Sequence, residues 1–438
     1  MIRFYSTQNK QVFVTLEEAV MRGLAEDTGL FMPEKISRMD SSILDTMHKL
    51  SFPELSFEVA KTILQDTLPS KDILQIVEKA FTEISVPVKE IAKNMYVLEL
   101  FHGPTLSFKD FGARFMAQLM SYFMRHRKKM LNILVATSGD TGSAIAHAFL
   151  NVPHVRVYIL YPQNRVSSIQ EQQLTTMGQN ITALEIQGSF DDCQRLVKQA
   201  FLDQELRKNL LMSSANSINI ARLIPQSFYY VYAYAQVARK KEPVVFSVPS
   251  GNFGNLTAGI LAQKMGLPIK HFVAATNIND IVPKYLESGQ FKPQASKQTL
   301  SNAMDVGNPS NFARLLDIFG DWKSMKQNLY GVSFTDIETE EVMREVFQKY
   351  HYLLDPHGAV AYLGLRSFFE NKKIDGKGIF LETADPAKFK DDVERITGRE
   401  VLMPPRLQKF LDKKKKSSLM NPDFKELKDY LMKNEKDS

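Results

Sequence analysis

The sequence predicts an α/β protein built on two open, twisted, mostly parallel sheets with helices on both faces. Three observations carry that expectation. From residue 130 onward short apolar runs alternate with helical patterns, the arrangement that strand–helix–strand units require. Those runs are apolar nearly throughout, as expected of strands covered on both faces. Two of them end in loops of glycine and small polar residues that open a helix, the place where open sheets collect ligands.

Taken in order, strands are expected at 131–136, 155–160, 182–186, 243–248, 270–275 and 378–381. Amphipathic helices lie between them or precede them, such as the one carrying Phe111, Phe115, Leu119 and Phe123 at a spacing of four on one buried stripe. Residues 1–95 carry no glycine-rich loop and read as a helix-rich N-terminal accessory domain, with turns around Pro33 and Pro53. Residues 96–110 and 226–400 are expected to form a large α/β domain, and 111–225 a smaller one. Residues 401–438 run from Met403-Pro404-Pro405 through a lysine run into a charged helical stretch, and read as a C-terminal extension.

Composition sets the class. The 438 residues are 44% hydrophobic and 24% charged, with 29 Phe and 15 Tyr, enough apolar surface to build a core without disulfides or a structural metal. One cysteine, Cys193, excludes an internal disulfide framework and fits a reducing, cytoplasmic setting. The opening MIRFYSTQNKQ is too polar for a secretory signal, and no stretch reaches the roughly 18 apolar residues of a membrane span. The net charge of +6 gathers in short runs at 125–129, 239–241 and 413–416 without interleaved aromatics. Such runs read as solvated helix ends and not as a nucleic-acid surface. Neither a membrane nor a nucleic-acid partner is expected, and both monomer and homodimer stay open. No His, Cys, Asp or Glu spacing suits a metal. Cys193 is expected to pack, and His102 receives no role.

The chemistry is expected at three places. Residues 137–143, TSGDTGS, and 250–255, SGNFGN, each follow a strand and open a helix, where free N–H groups attract anions. Neither is a dinucleotide fingerprint or a Walker loop, and a tight turn using glycine for backbone reasons is the plain alternative. The third place is FHGPTLSFKD, in which Lys109 stands between Phe108 and Phe111 at a helix start. Desolvation there would lower the ammonium pKa and free the amine to act as nucleophile or base, and an exposed lysine at a helix start is the plain alternative.

The string FHGPTLSFKDFGARFMAQL resembles the cofactor-lysine segment of the threonine synthase family, pyridoxal-phosphate enzymes of fold type II. The resemblance continues through TSGDTGSA, SSANSINIARL, SVPSGNFGNLTAG, AATNIND, LSNAMDVGNPSNF, DPHGAVAY and PAKFKD, and so spans nearly the whole chain. It implies that Lys109 binds pyridoxal phosphate covalently and afterwards moves protons. It further implies that Gly251, Asn252, Phe253, Gly254 and Asn255 cradle the cofactor's phosphate, and that Thr383 faces its pyridine nitrogen. The small domain then becomes a substrate clamp in which Ser138, Thr141, Asn216, Ser217 and Arg222 hold a second phosphate, that of O-phospho-L-homoserine. Asp140, a carboxylate beside a phosphate site, is expected to face the cofactor's phenolic oxygen or a loop amide. The implied reaction yields L-threonine and phosphate; the alternative is a related pyridoxal-phosphate lyase or dehydratase acting on another hydroxy or phosphorylated amino acid. Two departures from the family pattern are Asp385, where histidine is usual, and Thr28, where glycine is common, the latter expected to be harmless.

Overall fold

The computed structural model describes residues 2–238, 242–373, 376–411 and 413–436, so the basic run at 239–241 lies outside the described residues. Two parallel sheets organise the chain. The larger has six strands in the order Leu329–Ser333, Ile269–Thr276, Val244–Pro249, Lys377–Glu382, Met95–Glu99, Val88–Ala92. All neighbours are parallel except the last pair. The smaller has five, in the order Ser418–Met420, Ile181–Ile186, Val155–Pro162, Leu131–Ala136, Leu211–Ser214, all parallel. All six strands expected from the apolar runs are present to within two residues at either end.

The continuous apolar character of those strands has the expected cause. Every residue of Leu131–Ala136 and of Val244–Pro249 is buried, because helices cover both faces of each sheet. The phenylalanine-striped helix Lys109–Met124 buries Phe111, Phe115 and Leu119 at 0% exposure. Phe111 and Phe115 meet Phe81 from the helix Ser70–Phe81, with ring centroids 6.0 and 6.2 Å apart. Phe123, the fourth residue of the stripe, is only partly buried, where the helix runs out beyond its neighbours.

Three places differ from the expectation. The N-terminal region is not helical throughout, since Phe4–Ser6, Asn9–Val14 and Phe31–Pro33 form an antiparallel sheet of their own. Strand Val88–Ala92, placed in the accessory region by the boundary at 95, is instead the outer strand of the large sheet. The C-terminal extension is no loose appendage. Its strand Ser418–Met420 extends the small sheet, and the helix Phe424–Lys436 lays Leu427 and Leu431 against Cys193 and Leu196. Cys193 packs as expected, its thiol pushed up to about 12 chiefly by burial.

Parallel pairing sends the loops that follow the strands out at a common edge. In the small sheet these are the loop after Ala136 and the segment after Ser214; in the large sheet, the loop after Pro249 and Thr383 after Glu382. Both anion-site candidates therefore sit at carboxyl edges.

Thr28 carries φ 68, in the left-handed region. Its N–H closes a turn onto the Ala25 carbonyl at 3.0 Å, and its side chain is exposed. A β-branched residue there is strained, so the departure from glycine is not harmless to stability. Thr28→Gly is expected to raise unfolding free energy by about 1 kcal/mol, the lost strain being partly offset by the greater freedom of glycine in the unfolded chain. Equilibrium denaturant unfolding of the two proteins measures it, and an unchanged or lower midpoint would show that the turn carries no strain.

Candidate functional site

Lys109 is the first residue of its helix. The turn before it is tied to the end of the large sheet, since the Phe108 N–H donates to the Thr383 carbonyl at 2.9 Å and Ser107 bridges Ala384. The Gly103-Pro104 turn folds onto the helix start through Asp110, whose carboxylate accepts from the Thr105 N–H at 2.8 Å and the Thr105 hydroxyl at 2.7 Å. A Cβ on Gly103 would stand 2.3 Å from Asp110 Oδ2, which is why glycine occupies that position. Burial pushes Asp110 up to about 6 against these hydrogen bonds.

The Lys109 side chain is 15% exposed, and its Nζ lies 4.8 Å from the centre of the Phe108 ring. Burial lowers its pKa, Asp140 opposes the change, and the cations of Lys388 and Arg222 add to it. The expectation of a desolvated lysine is matched by this environment.

Asp140 begins the helix Asp140–Phe149, in whose first turn the Thr137 hydroxyl takes the Gly142 N–H and the N–H groups of Asp140 and Thr141 are left open. Its carboxylate does not meet a loop amide. It accepts from Lys388 Nζ at 2.6 Å and from Gln170 Nε2 at 2.9 Å, and it stands 3.7 Å from Lys109 Nζ. Burial disfavours its ionisation, but the Lys388 and Lys109 cations outweigh that and hold the carboxyl below the usual range. Lys388, in the turn Pro386–Phe389, has no exposed side-chain surface and also donates to the Thr105 carbonyl at 3.0 Å. Sequence reasoning missed Lys388 and Gln170. Their signal was slight, a lysine between alanine and phenylalanine in the quoted PAKFKD.

The proposed clamp residues fall into two groups. Ser138 and Thr141 are half-buried at the open first turn of helix Asp140–Phe149, and Thr137 takes the Gly139 and Gly142 N–H groups at 2.9 and 2.8 Å, shaping the loop. Arg222 is buried beneath Lys109's helix. Its Nη1 donates to the Ala215 carbonyl at 2.6 Å, while Nε lies buried without a partner. Burial pushes its guanidinium down to about 10, with Asp110 opposing. Asn216 is differently employed. Its amide pairs with the Ala136 backbone, donating to the carbonyl at 2.7 Å and accepting from the N–H at 3.2 Å, so it continues the sheet's bonding and fixes the segment carrying Ser217 and Arg222. Ser217 lies beside the other loop, its Cβ 3.7 Å from the place of a Cβ on Gly254.

The loop 250–255 is strained and tightly enclosed. Phe253 has φ 60 and is buried, and helix Gly254–Lys264 starts beyond it without a side-chain cap. A Cβ on Gly251 would lie 2.8 Å from Met304 Cα and 2.9 Å from the Ala303 carbonyl oxygen. Asn252 braces the opposite wall, accepting from the Ser310 N–H at 3.2 Å. Asn255 Oδ1 accepts from the hydroxyls of Tyr229 and Tyr230 at 2.6 and 2.7 Å, which leaves its Nδ2 buried and unpartnered. Tyr229 also packs on Phe111, ring centroids 5.3 Å apart, and so couples this loop to the helix of Lys109.

Beside the site a cavity of about 460 Å³ is lined in part by His102, Leu106, Asp385 and Arg406. His102 Nε2 meets Glu99 Oε2 at 2.7 Å. Asp385 caps the Pro386–Phe389 turn, accepting from the Ala387 N–H at 2.8 Å, so its carboxylate secures the turn that carries Lys388. Burial raises its pKa.

Comparison with known proteins matches three family models in register along the chain. Residues 82–381 match a pyridoxal-phosphate dependent enzyme family, 3–81 the threonine synthase N terminus, and 358–431 the threonine synthase C-terminal region. The chain is 45% identical to a threonine synthase of Haemophilus influenzae over 99% of its length and 100% of that protein's. It resembles the crystal structure of threonine synthase from Escherichia coli with a TM-score of 0.92 at 42% identity, covering 99% of this chain and 100% of that one. The pyridoxal-phosphate-bound threonine synthase of Brucella melitensis gives the same TM-score, 0.92, at 33% identity with the same coverage.

The residues present fit that cofactor. The orphaned Asn255 Nδ2 and the uncapped first turn beyond Phe253 offer donors for a phosphate, and Lys109 is a buried lysine of lowered pKa. Gly251→Ala would push its new methyl into the Ala303–Met304 backbone, which cannot swing aside as a side chain could. Cofactor affinity is expected to fall about tenfold or more, corresponding to 1–3 kcal/mol of overpacking, with far-UV circular dichroism unchanged. Equilibrium dialysis against pyridoxal phosphate gives the number, and full wild-type affinity would remove this loop from the cofactor site.

Proposed function

The chain belongs to the threonine synthase family of pyridoxal-phosphate dependent enzymes, and from that premise we propose that it converts O-phospho-L-homoserine and water to L-threonine and phosphate. The observation that carries this reading is the pairing of two helix starts that keep open N–H groups, at Gly254 and at Asp140, with one buried lysine. A cofactor phosphate and a substrate phosphate need two separate donor-lined places, and a dehydratase acting on an unphosphorylated amino acid needs one. The lone cysteine fits a cytoplasmic enzyme.

Pyridoxal phosphate, when bound, supplies the electron sink that makes the substrate's α-proton removable. The protein's own part is positional and electrostatic. The loop 250–255 and Asn255 would hold the cofactor's phosphate, with Thr383 at the ring nitrogen; a hydroxyl there does not enforce a charged ring as a carboxylate would. Lys109, held in a setting that disfavours its ammonium form, is the base at the α-carbon and then returns protons. Ser138, Thr141, Ser217 and Arg222 would receive the substrate's γ-phosphate, and Asn216 keeps the last two in place. As that phosphate leaves, its growing charge is met by Arg222 and the open helix turn at Asp140. The site is built from loops that follow strands of both sheets.

Three outcomes are expected. Purified protein should release phosphate and form threonine from O-phosphohomoserine, and borohydride reduction followed by peptide mapping should find the phosphopyridoxyl label on Lys109. A label elsewhere, or no turnover with the label in place, would overturn one or the other half of the reading. Arg222→Ala should lower kcat/KM by an amount equivalent to about 2–5 kcal/mol, with cofactor content near normal. Loss of cofactor in that variant would mean that the two phosphate places are exchanged.

A further inference from the structure

Two lysines share one buried carboxylate at this site. Asp140 Oδ1 is 2.6 Å from Lys388 Nζ, and Asp140 Oδ2 is 3.7 Å from Lys109 Nζ. The two contacts are unequal in kind. Lys388 Nζ has a second acceptor, the Thr105 carbonyl at 3.0 Å, and no exposed surface, so an ammonium there has two hydrogen bonds to oxygen. Lys109 Nζ is beyond hydrogen-bond distance of Asp140 and rests over the Phe108 ring at 4.8 Å. Gln170 Nε2 donates to the same Oδ1 that Lys388 holds, at 2.9 Å. Asp140 Oδ1 thus already holds two donors, and the closer of the two cations to the carboxylate is Lys388.

We propose that Lys388 is a positioning residue that neutralises Asp140 and so leaves Lys109 as the free amine. The inference rests on the reading of Lys109 as the cofactor lysine and adds how its protonation is set. The charged groups around Lys109 are Asp140 at the start of the helix that follows the small-sheet strand Leu131–Ala136, Lys388 on the turn after the large sheet's strand Lys377–Glu382, and Arg222 beneath, itself facing Asp110. With Lys388 present, the attraction of Asp140 for a proton on Lys109 is opposed by the repulsion of Lys388 and Arg222, and burial tips the balance to the free amine. With Lys388 replaced by an uncharged residue, the Asp140 carboxylate keeps the neutral Gln170 amide and has Lys109 as its cationic partner. An opposite charge within about 4–6 Å favours the ammonium form, so Lys109 would hold its proton to higher pH. Attack on an aldehyde and removal of an α-proton both need the unprotonated amine, so both would be suppressed at neutral pH and recover as pH rises.

The test uses the full chain freed of cofactor, with near-UV circular dichroism as the check on folding. Labelling of Lys109 by a small amine-reactive reagent is followed by mass spectrometry of its peptide across pH, in the wild type and in Lys388→Met, Lys388→Arg, and Lys388→Met combined with Asp140→Asn. In Lys388→Met the labelling midpoint is expected to move up by about one pH unit or more, a roughly tenfold slower labelling at neutral pH. Lys388→Arg should stay near the wild type, and removal of Asp140 should cancel the upward shift. The rate at which added pyridoxal phosphate develops its visible absorption should follow the same midpoints. An unchanged midpoint in folded Lys388→Met, or an equal upward shift when Asp140 is also removed, would overturn the proposal. If Lys388→Met does not fold, a midpoint in Lys388→Arg displaced as far as that expected for the methionine variant overturns it, and a retained midpoint upholds it. Neither result touches the mapping of the cofactor to Lys109, so a failure here is separable from a failure of the functional reading.

Discussion

A carboxylate buried with an ammonium group and a second amine is stable only if the protein holds every partner in place, because each charge left without a counterpart in so dry a setting costs several kcal/mol. Asp140, Lys388 and Lys109 meet that condition by coming from three different elements. One begins the helix after a small-sheet strand, one sits in a short turn after a large-sheet strand, and one begins the helix Lys109–Met124. The cluster therefore requires both sheets to be in register with each other. Many of the details around it serve that requirement: Asp385 caps the turn of Lys388, Thr105 joins Lys388 to Asp110, and Gly103 lets the preceding turn close.

The same region concentrates backbone strain. Leu106 and Phe253 both carry positive φ, 57 and 60, and both are buried. Each conformation costs of order 1–3 kcal/mol and persists only where surroundings over-determine it. Leu106 is fixed by its N–H to the Gly103 carbonyl and by the Asp385 N–H to its own carbonyl, and Phe253 by the helix that follows. These loops are therefore rigid by construction, suited to presenting donors at set positions.

The extent to which the sequence could be read followed burial. Six strands were legible because two-faced burial leaves continuous apolar runs, while Phe4–Ser6, Leu211–Ser214 and Ser418–Met420 are three or four residues long and offer no pattern to detect. Val88–Ala92, at the sheet edge, is half polar and resembles a loop. Of the site, the two glycine loops were legible from their neighbours along the chain, and Lys109, which its neighbours left open to a solvated reading, through resemblance. Lys388 was not, since nothing adjacent to it shows that Asp140, some 250 residues earlier, will be its partner. Asn216 was legible as a site residue only through resemblance, and its bonds to Ala136 depend on strand pairing that the sequence does not display.

The order of the small sheet has a consequence for synthesis. Its strand Ile181–Ile186 takes its outer neighbour from Ser418–Met420, almost at the end of the chain. While the ribosome adds the intervening residues, at roughly 5–20 per second, that strand has an open edge for on the order of ten seconds or longer. Unpaired edges of that kind invite association between nascent chains. Glu185 within the strand, which in the finished protein meets Lys415 at 2.7 Å, puts a charge on that edge until its partner arrives, and so helps keep growing chains apart.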